Sequence, residues 1–580
     1  MTGRQPTVAD QIAAALQRHQ VEVIFGQSVP SAALLAVEDR GIRQVTYRQE
    51  NTGGAMADGY ARVSGRTGVV ACQNGPAAAL LVAPLAEALK ASTAIVAIVQ
   101  EVDTPASGRN ASQELDHESL FSGSAKWIRR MRTPQRVDDD VDAAFVAAAS
   151  GRPGPAVLLV PHDLLGEPAV SGERERRQHL GHWPLDQFQP GPAVIEQAAG
   201  MLAGARSPMV IAGGGTTSAA ASAALTALQE QASLPVFTTN MGKGAVDETH
   251  PLSAGTLGSL TGPGSLGRYT RELLAKADVV LLAGTRTNED GTDSWRLIPP
   301  SAEVIHLDID AQEIGRNYEP LRLAGEAATT LSALGQVMAG LDLSARTAAR
   351  GGAEAWIARA WQFFFSDRSV YADSKALPLR PERILRAIQD RLTADTIVAA
   401  DASYSSNWVH GQLRTVAPGM RVLTPRGLAG LGWGVPLAMG AKLARPDHRV
   451  VAVAGDGGFA HAWAELETMA RAAIPVVVVV LNNGVLAYQK DAETVKLGRY
   501  TTACHLGDVN HAAIARACGV AASRVETPAE LEKAFDEAFG SGQPWLLDVV
   551  TDPVAHPPIS MYDGTLDEQV ASGLSQHPVS

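Results

Sequence analysis

Cysteine is scarce: Cys72, Cys504 and Cys518 are three in 580 residues. They have no CxxC spacing, so neither a disulfide framework nor a zinc site is expected. No apolar run reaches the roughly 20 residues that a membrane span requires. Basic charge is also short, with 49 Lys and Arg against 61 Asp and Glu and a net charge of −12. Phosphate backbones are held by basic stripes, so a general nucleic-acid binder is excluded. The opening residues, MTGRQPTVADQIAAALQRHQ, read as an amphipathic helix and not as a signal peptide. The expectation is a cytoplasmic enzyme with no membrane partner. What is present is ordinary for a globular protein, 46% hydrophobic and 19% charged. A chain of this length holds about three domains.

The most informative stretch runs from Val450 to Tyr500. An apolar run, VVAVA, leads to Gly455-Asp456-Gly457-Gly458. A helical segment, the run IPVVVVVL and the pair Asn482-Asn483 follow. Two buried-type strands around one helix make a βαβ unit of a parallel sheet. The acidic turn and the Asn pair then share the carboxyl edge of the sheet, where open α/β sheets bind ligands. Asp456 offers a hard anionic oxygen and Asn483 a neutral amide oxygen, a donor set suited to Mg²⁺ with diphosphate. Gly457 and Gly458 let backbone approach phosphate at a helix start. A tight turn followed by an Asn-Gly turn is the plainer alternative, but 24 residues, 458 to 481, separate Gly457 from Asn482 with strands on both sides.

This segment resembles the thiamine-diphosphate motif, GDG followed at a set distance by NN. The resemblance extends from residue 8 to about 550. It implies three doubly wound α/β domains with parallel sheets: a pyrimidine domain over 1–170, a middle domain over 193–340 and a diphosphate domain over 381–553. Residues 168–192 and 341–380 read as linkers, the second helical. Residues 554–580 form a tail that would act as a lid.

In the first domain, strand RQVTYRQ is expected to end at Glu50, before the Gly/Ala-rich helix NTGGAMADGYARVSG. A carboxylate there suits a helix cap. The segment from Glu50 through Asp58-Gly59-Tyr60-Ala61-Arg62 to Gly65 also resembles enzymes of the acetolactate synthase type. By that match Glu50 contacts the aminopyrimidine N1′ of the cofactor and passes it a proton. Asn74-Gly75-Pro76 resembles the family's SGPG turn. Ser112-Gln113-Glu114 resembles its FQE segment, which faces the active site. Gln113 would bond a substrate oxygen, and Ser112 in place of Phe suggests a roomier pocket.

In the third domain, strand TIVAAD ends at Asp401, and Tyr404 and Ser405 after it match residues near the diphosphate. Gly427 to Gly434 resembles the segment beneath the cofactor. Gly430 lies within it, and Leu431 takes the place of the apolar residue that bends the cofactor. Val485 would offer its carbonyl to the metal beside Asp456 and Asn483. The next residues pattern as a short helix with Tyr488, Gln489 and Glu493 as polar candidates. Ala492-Glu493 replaces the family's Trp before Glu, which makes Glu493 a candidate substrate-side acid/base. A solvated partner of Lys490 or Lys496 is the plainer reading.

The middle domain of the family binds FAD, the ADP part of coenzyme A, or nothing. Gly213-Gly214-Gly215 suits a phosphate or an ordinary strand–helix turn. Lys243, Arg286, Asp308 and Asp310 fall at strand ends as candidate nucleotide contacts. Glu50 and Asp456 would meet from different subunits, which implies a homodimer at minimum and often a homotetramer. Three functions compete. A 2-hydroxyacyl-CoA lyase is favoured by Ser112, Ala492 and Glu493, and by Lys243 and Arg286 as contacts suited to a phosphate-rich coenzyme A. An acetolactate synthase, joining two 2-oxo acids after decarboxylation, is kept open by Arg286, which matches a family Arg that can meet a 2-oxo acid carboxylate. A non-catalytic protein of the same fold is disfavoured by Glu50, Asp456 and Asn483.

Overall fold

Runs rich in Val, Ile and Leu, bounded by Gly, Pro and Asn, become strands buried on both faces, and helices cover them. The computed structural model describes residues 5–170, 175–562 and 566. Among these, eighteen strands form three six-stranded sheets, parallel at every paired edge. The first holds β1 (Val23–Gly26), β2 (Arg43–Val45), β3 (Gly68–Cys72), β4 (Ile95–Glu101), β5 (Trp127–Arg130) and β6 (Pro155–Pro161). The second holds β7 (Pro208–Ala212), β8 (Val236–Thr238), β9 (Ser253–Thr256), β10 (Val279–Ala283), β11 (Glu303–Asp308) and β12 (Pro320–Ala324). The third holds β13 (Thr396–Ala400), β14 (Val422–Leu423), β15 (Arg449–Gly455), β16 (Val477–Asn482), β17 (Ala521–Val525) and β18 (Trp545–Val550).

Strand order separates the three sheets into two types. The first runs β2-β1-β3-β4-β6-β5 and the third runs β14-β13-β15-β16-β18-β17, which is the same path. The second runs β12-β11-β10-β7-β8-β9, the order of dinucleotide-binding sheets. Each order has a switch point where neighbouring connections diverge and leave a crevice. It lies between β1 and β3, between β7 and β10, and between β13 and β15.

The first and third units share one apolar core, which includes Phe25, Met56, Val70, Leu437 and Val478. The helix Glu50–Ser64 packs on the helix Gly434–Ala444 at backbone distance. A Cβ at Gly59 would lie 2.1 Å from the Leu437 carbonyl oxygen, and one at Gly440 would lie 2.0 Å from that of Met56. Glycine is therefore demanded by the crossing itself. A buried ion network seals the same seam. Arg62 donates to Asp58 at 2.7 and 2.6 Å and to the Thr424 carbonyl at 2.8 Å. Glu87 accepts from the backbone N–H of Gly427 at 2.7 Å and Leu428 at 2.5 Å. Glu465, fully buried, accepts from Arg48 N, Gln49 N and Thr52 Oγ1 and so holds the start of the Glu50 helix.

One expectation needs correction here. The strand before Glu50 stops at Val45, and Glu50 is the first residue of the helix, not the last of a strand. Polar Arg48 and Gln49 leave the sheet to bond Glu465. The stretch 341–380 is mostly one helix, Ser344–Ala372, whose Ile357, Trp361 and Phe364 bury against the second sheet's core.

Candidate active site

The carboxyl ends of β13, β15 and β16 open into a cavity of about 680 Å³. The β15–β16 register pairs Gly455 with Leu481, so Asp456 comes level with Asn482 and Asn483 follows it. Gly455, Asp456, Gly457, Gly458, Asn483 and Val485 all line the cavity. The two Asp456 oxygens accept from Gly457 N at 3.0 Å and Gly484 N at 2.7 Å. Burial pushes its carboxyl up to about 6, against the pull of those N–H donors. Both hydrogen bonds come from backbone, so a buried anion is held ready for a cation that the side chains do not supply. That donor set fits Mg²⁺, with the Asn483 amide beside it. Asn482 points elsewhere, donating to Asp548 at 2.9 Å and to the Val509 carbonyl at 3.0 Å.

The floor is built by Asp401, which the sequence marked only as a strand end. It is buried and accepts from the N–H groups of Gly432, Trp433 and Gly434 at 3.0–3.1 Å. Burial raises its pKa despite those donors. This clamp fixes Leu431, which faces the cavity and is 37% exposed. Gly458 lies tight against it: a Cβ there would sit 2.0 Å from Asp401 Oδ2. Ser405 and Tyr404 also line the cavity. The Tyr404 hydroxyl, however, is engaged by Asp491 Oδ2 and the Tyr562 hydroxyl, each at 2.7 Å. It is spent on holding the wall and does not stand as a free donor to phosphate. Gly430 sits behind the cavity lining, and a Cβ there would meet the Trp433 ring at 2.4 Å.

A second group gathers at the carboxyl edge of the first sheet. Glu50 is 8% exposed, and burial raises its pKa, with the Glu465 carboxylate adding to the rise and a backbone N–H opposing it. Cys72, at the end of β3, lies near enough for its thiol to feel the Glu50 charge. Asn74 follows, buried, and donates to the Gln113 carbonyl at 3.1 Å. Gln113 adopts a left-handed φ of 62° and its side chain accepts from Gln73 at 2.8 Å. Ser112 and Gln113 are exposed. None of Glu50, Asn74, Ser112 or Gln113 lines the 680 Å³ cavity. This second group therefore lies outside the cavity that holds Asp456 and Asn483.

The switch point of the second sheet opens into a further cavity of about 440 Å³, walled by all three units. Gly214, Gly215, Arg286 and Asp308 line it. Burial lifts the Asp308 carboxyl to about 6, against the Asp310 backbone N–H that it accepts. Burial also lowers the Arg286 pKa.

Three family descriptions match the chain in order. The "Thiamine pyrophosphate enzyme, N-terminal TPP binding domain" covers residues 6–120, the "central domain" covers 195–334 and the "C-terminal TPP binding domain" covers 401–549. A relative from Methanocaldococcus jannaschii, named probable acetolactate synthase large subunit, is 31% identical over 96% of this chain and 94% of its own. The Escherichia coli acetolactate synthase isozyme 2 large subunit is 30% identical over 93% of this chain and 94% of its own. This chain belongs to the thiamine pyrophosphate enzymes of the acetolactate synthase group. In this thiamine pyrophosphate enzyme the DGYAR segment is structural: Asp58 and Arg62 close the seam between its first and third units.

Several expected site residues of the enzyme fall elsewhere. Glu493, the candidate acid/base, lies on the helix Ala487–Leu497 but outside the cavity lining. Its carboxylate accepts from Thr501 N at 2.7 Å and Gln489 Nε2 at 2.9 Å, which ties the helix to the following loop. Those donors hold its pKa below the ordinary range, contrary to what a proton shuttle needs. Ala492 is buried against the protein, while Tyr488 and Gln489 on the same helix do face the cavity. Lys243 is 2% exposed, and its ammonium is consumed by both Glu248 oxygens at 2.9 and 2.8 Å. Lys243 nevertheless lines the 440 Å³ cavity beside Arg286. Asp310 bonds Gln312 N at 2.9 Å and faces Arg152 at 3.6 Å, a turn and a bridge between units.

The tail is described only as far as Tyr562, with Leu566. Over that length it crosses from the third unit to the second: Gly262 N donates to the Pro558 carbonyl at 3.1 Å, and Ser560 N to that of Ser259 at 2.8 Å. Ile559, Ser560 and Met561 form part of the cavity wall. The rest of the expected lid lies outside the described residues. No helix among the described residues is long and apolar enough to cross a membrane.

Proposed function

We propose that this enzyme is an acetolactate synthase-type carboligase, which decarboxylates one 2-oxo acid and joins the remaining fragment to a second. The observation that carries this reading is the likeness, over nearly the whole chain, to proteins named acetolactate synthase large subunits. It replaces the 2-hydroxyacyl-CoA lyase. The lyase leaned on Glu493 as a proton shuttle and on Lys243 as a phosphate contact, and both side chains are committed to structural bonds.

Asp456, Asn483 and the Val485 carbonyl would hold Mg²⁺ and, through it, the cofactor's diphosphate. Ser405 would donate a hydrogen bond beside it, and Leu431 would support the bend between the rings. Thiamine diphosphate, when bound, supplies the nucleophilic carbon and the electron sink for breaking and making bonds next to a carbonyl. Glu50 would hold and move the proton at the aminopyrimidine N1′, and its raised pKa suits that exchange near neutral pH. Asn74 and Gln113 would border the same half-site. Glu50 and Asn74 lie outside the cavity that holds Asp456 and Asn483, so each complete site would form across a homodimer. Two such dimers would make the homotetramer. The second cavity would take an adenine nucleotide, with the Asp308 carboxyl on a ribose hydroxyl and Arg286 on phosphate. With coenzyme A set aside, FAD is the better occupant.

The test is direct. Purified enzyme with thiamine diphosphate, Mg²⁺ and FAD is given pyruvate or a short 2-hydroxyacyl-CoA, and products are identified by mass spectrometry. Acetolactate from pyruvate is the expected result. Formyl-CoA from the second substrate, with none from the first, would return the reading to the lyase.

A further inference from the structure

Two cavities of this molecule share a wall, and an ion pair forms it. Arg426 and Asp290 line both the 680 Å³ cavity and the 440 Å³ cavity. The Arg426 guanidinium donates to Asp290 Oδ2 at 3.2 Å, to Ser406 Oγ at 2.6 Å and to Asn407 Oδ1. Its Nε–H is buried with no partner. The arginine side chain is 10% exposed and the aspartate side chain 53%. A cation is thus fixed from behind by Ser406 and Asn407, and its one anionic contact is half in water.

Three cationic side chains line the larger cavity among the described residues: Arg296, Arg426 and Lys496. Arg296 is 66% exposed and paired with Asp293, and Lys496 is exposed on the helix surface. Arg426 alone is both desolvated and held in one place, which is what bidentate recognition of a carboxylate requires. The Asp290 backbone is pinned, because its carbonyl accepts from Ser259 N at 2.8 Å. Its side chain is free to turn into solvent without moving the loop.

We propose that Arg426 is the seat for the carboxylate of the accepting 2-oxo acid, and that Asp290 is an internal anion which that carboxylate displaces. This rests on the carboligase reading above. A cation that grips a carboxylate stabilises it against loss as carbon dioxide, so it hinders decarboxylation of the donor. It suits the acceptor, whose carboxylate survives into the product. The exchange of one carboxylate for another keeps the buried charge balanced and leaves Asp290 solvated. Arg286, the sequence's choice for this role, opens on the other cavity and does not line this one.

The test uses the full-length enzyme loaded with thiamine diphosphate, Mg²⁺ and FAD. Oxamate, a 2-oxo acid isostere that does not react, is titrated calorimetrically into wild type, Arg426→Gln, Arg426→Lys and Asp290→Asn. Loss of a desolvated arginine–carboxylate contact should weaken oxamate about 30-fold in Arg426→Gln. Arg426→Lys should recover part of that loss. Asp290→Asn should tighten oxamate several-fold, because the competitor is gone. Opposed effects of the two neutralising variants support the proposal, since a purely structural pair would weaken binding in both. Equal affinity in all four proteins, or equal weakening in Arg426→Gln and Asp290→Asn, overturns it. A loss of thiamine diphosphate or FAD affinity in Arg426→Gln with oxamate unchanged also overturns it, and assigns the arginine to a phosphate. Turnover of pyruvate is read separately. Wild type that binds oxamate through Arg426 but makes no acetolactate refutes the carboligase reading and leaves the anion seat standing.

Discussion

Asp456 gives a prediction whose sign depends on pH. A carboxyl moved from its ordinary 3.8 to about 6 by burial costs the metal-free folded protein about 3 kcal/mol when ionised, at about 1.4 kcal/mol per tenfold change in proton affinity. Below about pH 4 both folded and unfolded chains carry the proton and there is no cost. Between about pH 4 and 6 the unfolded chain loses the proton first, so stability falls as pH rises. Above about pH 6.5 the full cost remains. Asp456→Asn removes the charge but also removes one acceptor from Gly457 N or Gly484 N, at about 1–2 kcal/mol. The metal-free variant should therefore be more stable than wild type at neutral pH by about 1–2 kcal/mol, roughly 3–6 °C in thermal midpoint for a domain of this size. Near pH 4.5 the advantage should vanish or reverse. Mg²⁺ and thiamine diphosphate added together should raise the wild-type midpoint strongly and the variant's little, because binding to the folded state alone stabilises it. The assay is scanning calorimetry on chelator-treated protein at both pH values, with and without the ligands. A variant equally destabilised at both pH values would refute the buried-charge argument. Equal stabilisation by the ligands would remove Asp456 from the metal site.

Three further substitutions test other parts of the reading. Glu50→Gln should cut acetolactate formation on the order of 10²–10⁴-fold while thiamine diphosphate still binds by fluorescence titration; activity within tenfold of wild type would take Glu50 out of the proton path. Arg62→Ala strands the buried carboxylates of Asp58 and Glu87 and should cost about 3–5 kcal/mol in urea unfolding; a loss below about 1 kcal/mol would mean that those carboxylates find water. Glu493→Ala should leave turnover within about twofold, since its bonds are to Thr501 and Gln489; a drop beyond tenfold, in the range of acid–base catalysis, would restore it to the chemistry.

The division between sequence and tertiary structure follows the range of each interaction. Local pattern was enough for the strands and turns of the diphosphate half-site. The apolar runs that precede Gly455–Gly458 and Asn482–Asn483 read as neighbouring buried strands, and that spacing put Asp456 and Asn483 at one sheet edge. Glu50 was legible as a carboxylate ahead of a Gly/Ala-rich helix. Its exact position was not, because Glu465, some 415 residues away in the chain, decides where the strand ends and the helix begins.

Side-chain fates set by how the chain folds back were illegible, even where the partner lies only five or eight residues on, as for Lys243 and Glu493. Lys243 looks free in sequence, yet Glu248 and Thr256 converge on it only once β9 has paired with β8. Glu493 looks poised, yet its acceptor capacity is taken by Thr501. Asp401 passed as a strand end because nothing local shows that three backbone N–H groups from residues 432–434 will meet it. Arg426 stands just ahead of the Gly427–Gly434 segment and was passed over, and its meaning comes from two cavities that exist only when the second and third units meet. Sequence determined the diphosphate edge of this protein, since periodicity and spacing act within one βαβ unit, and the resemblance of that motif to a family supplied the cofactor. Tertiary structure decided which charges are spent on the fold and which remain for a ligand, because burial and pairing are properties of neighbours that the chain brings together only as it folds.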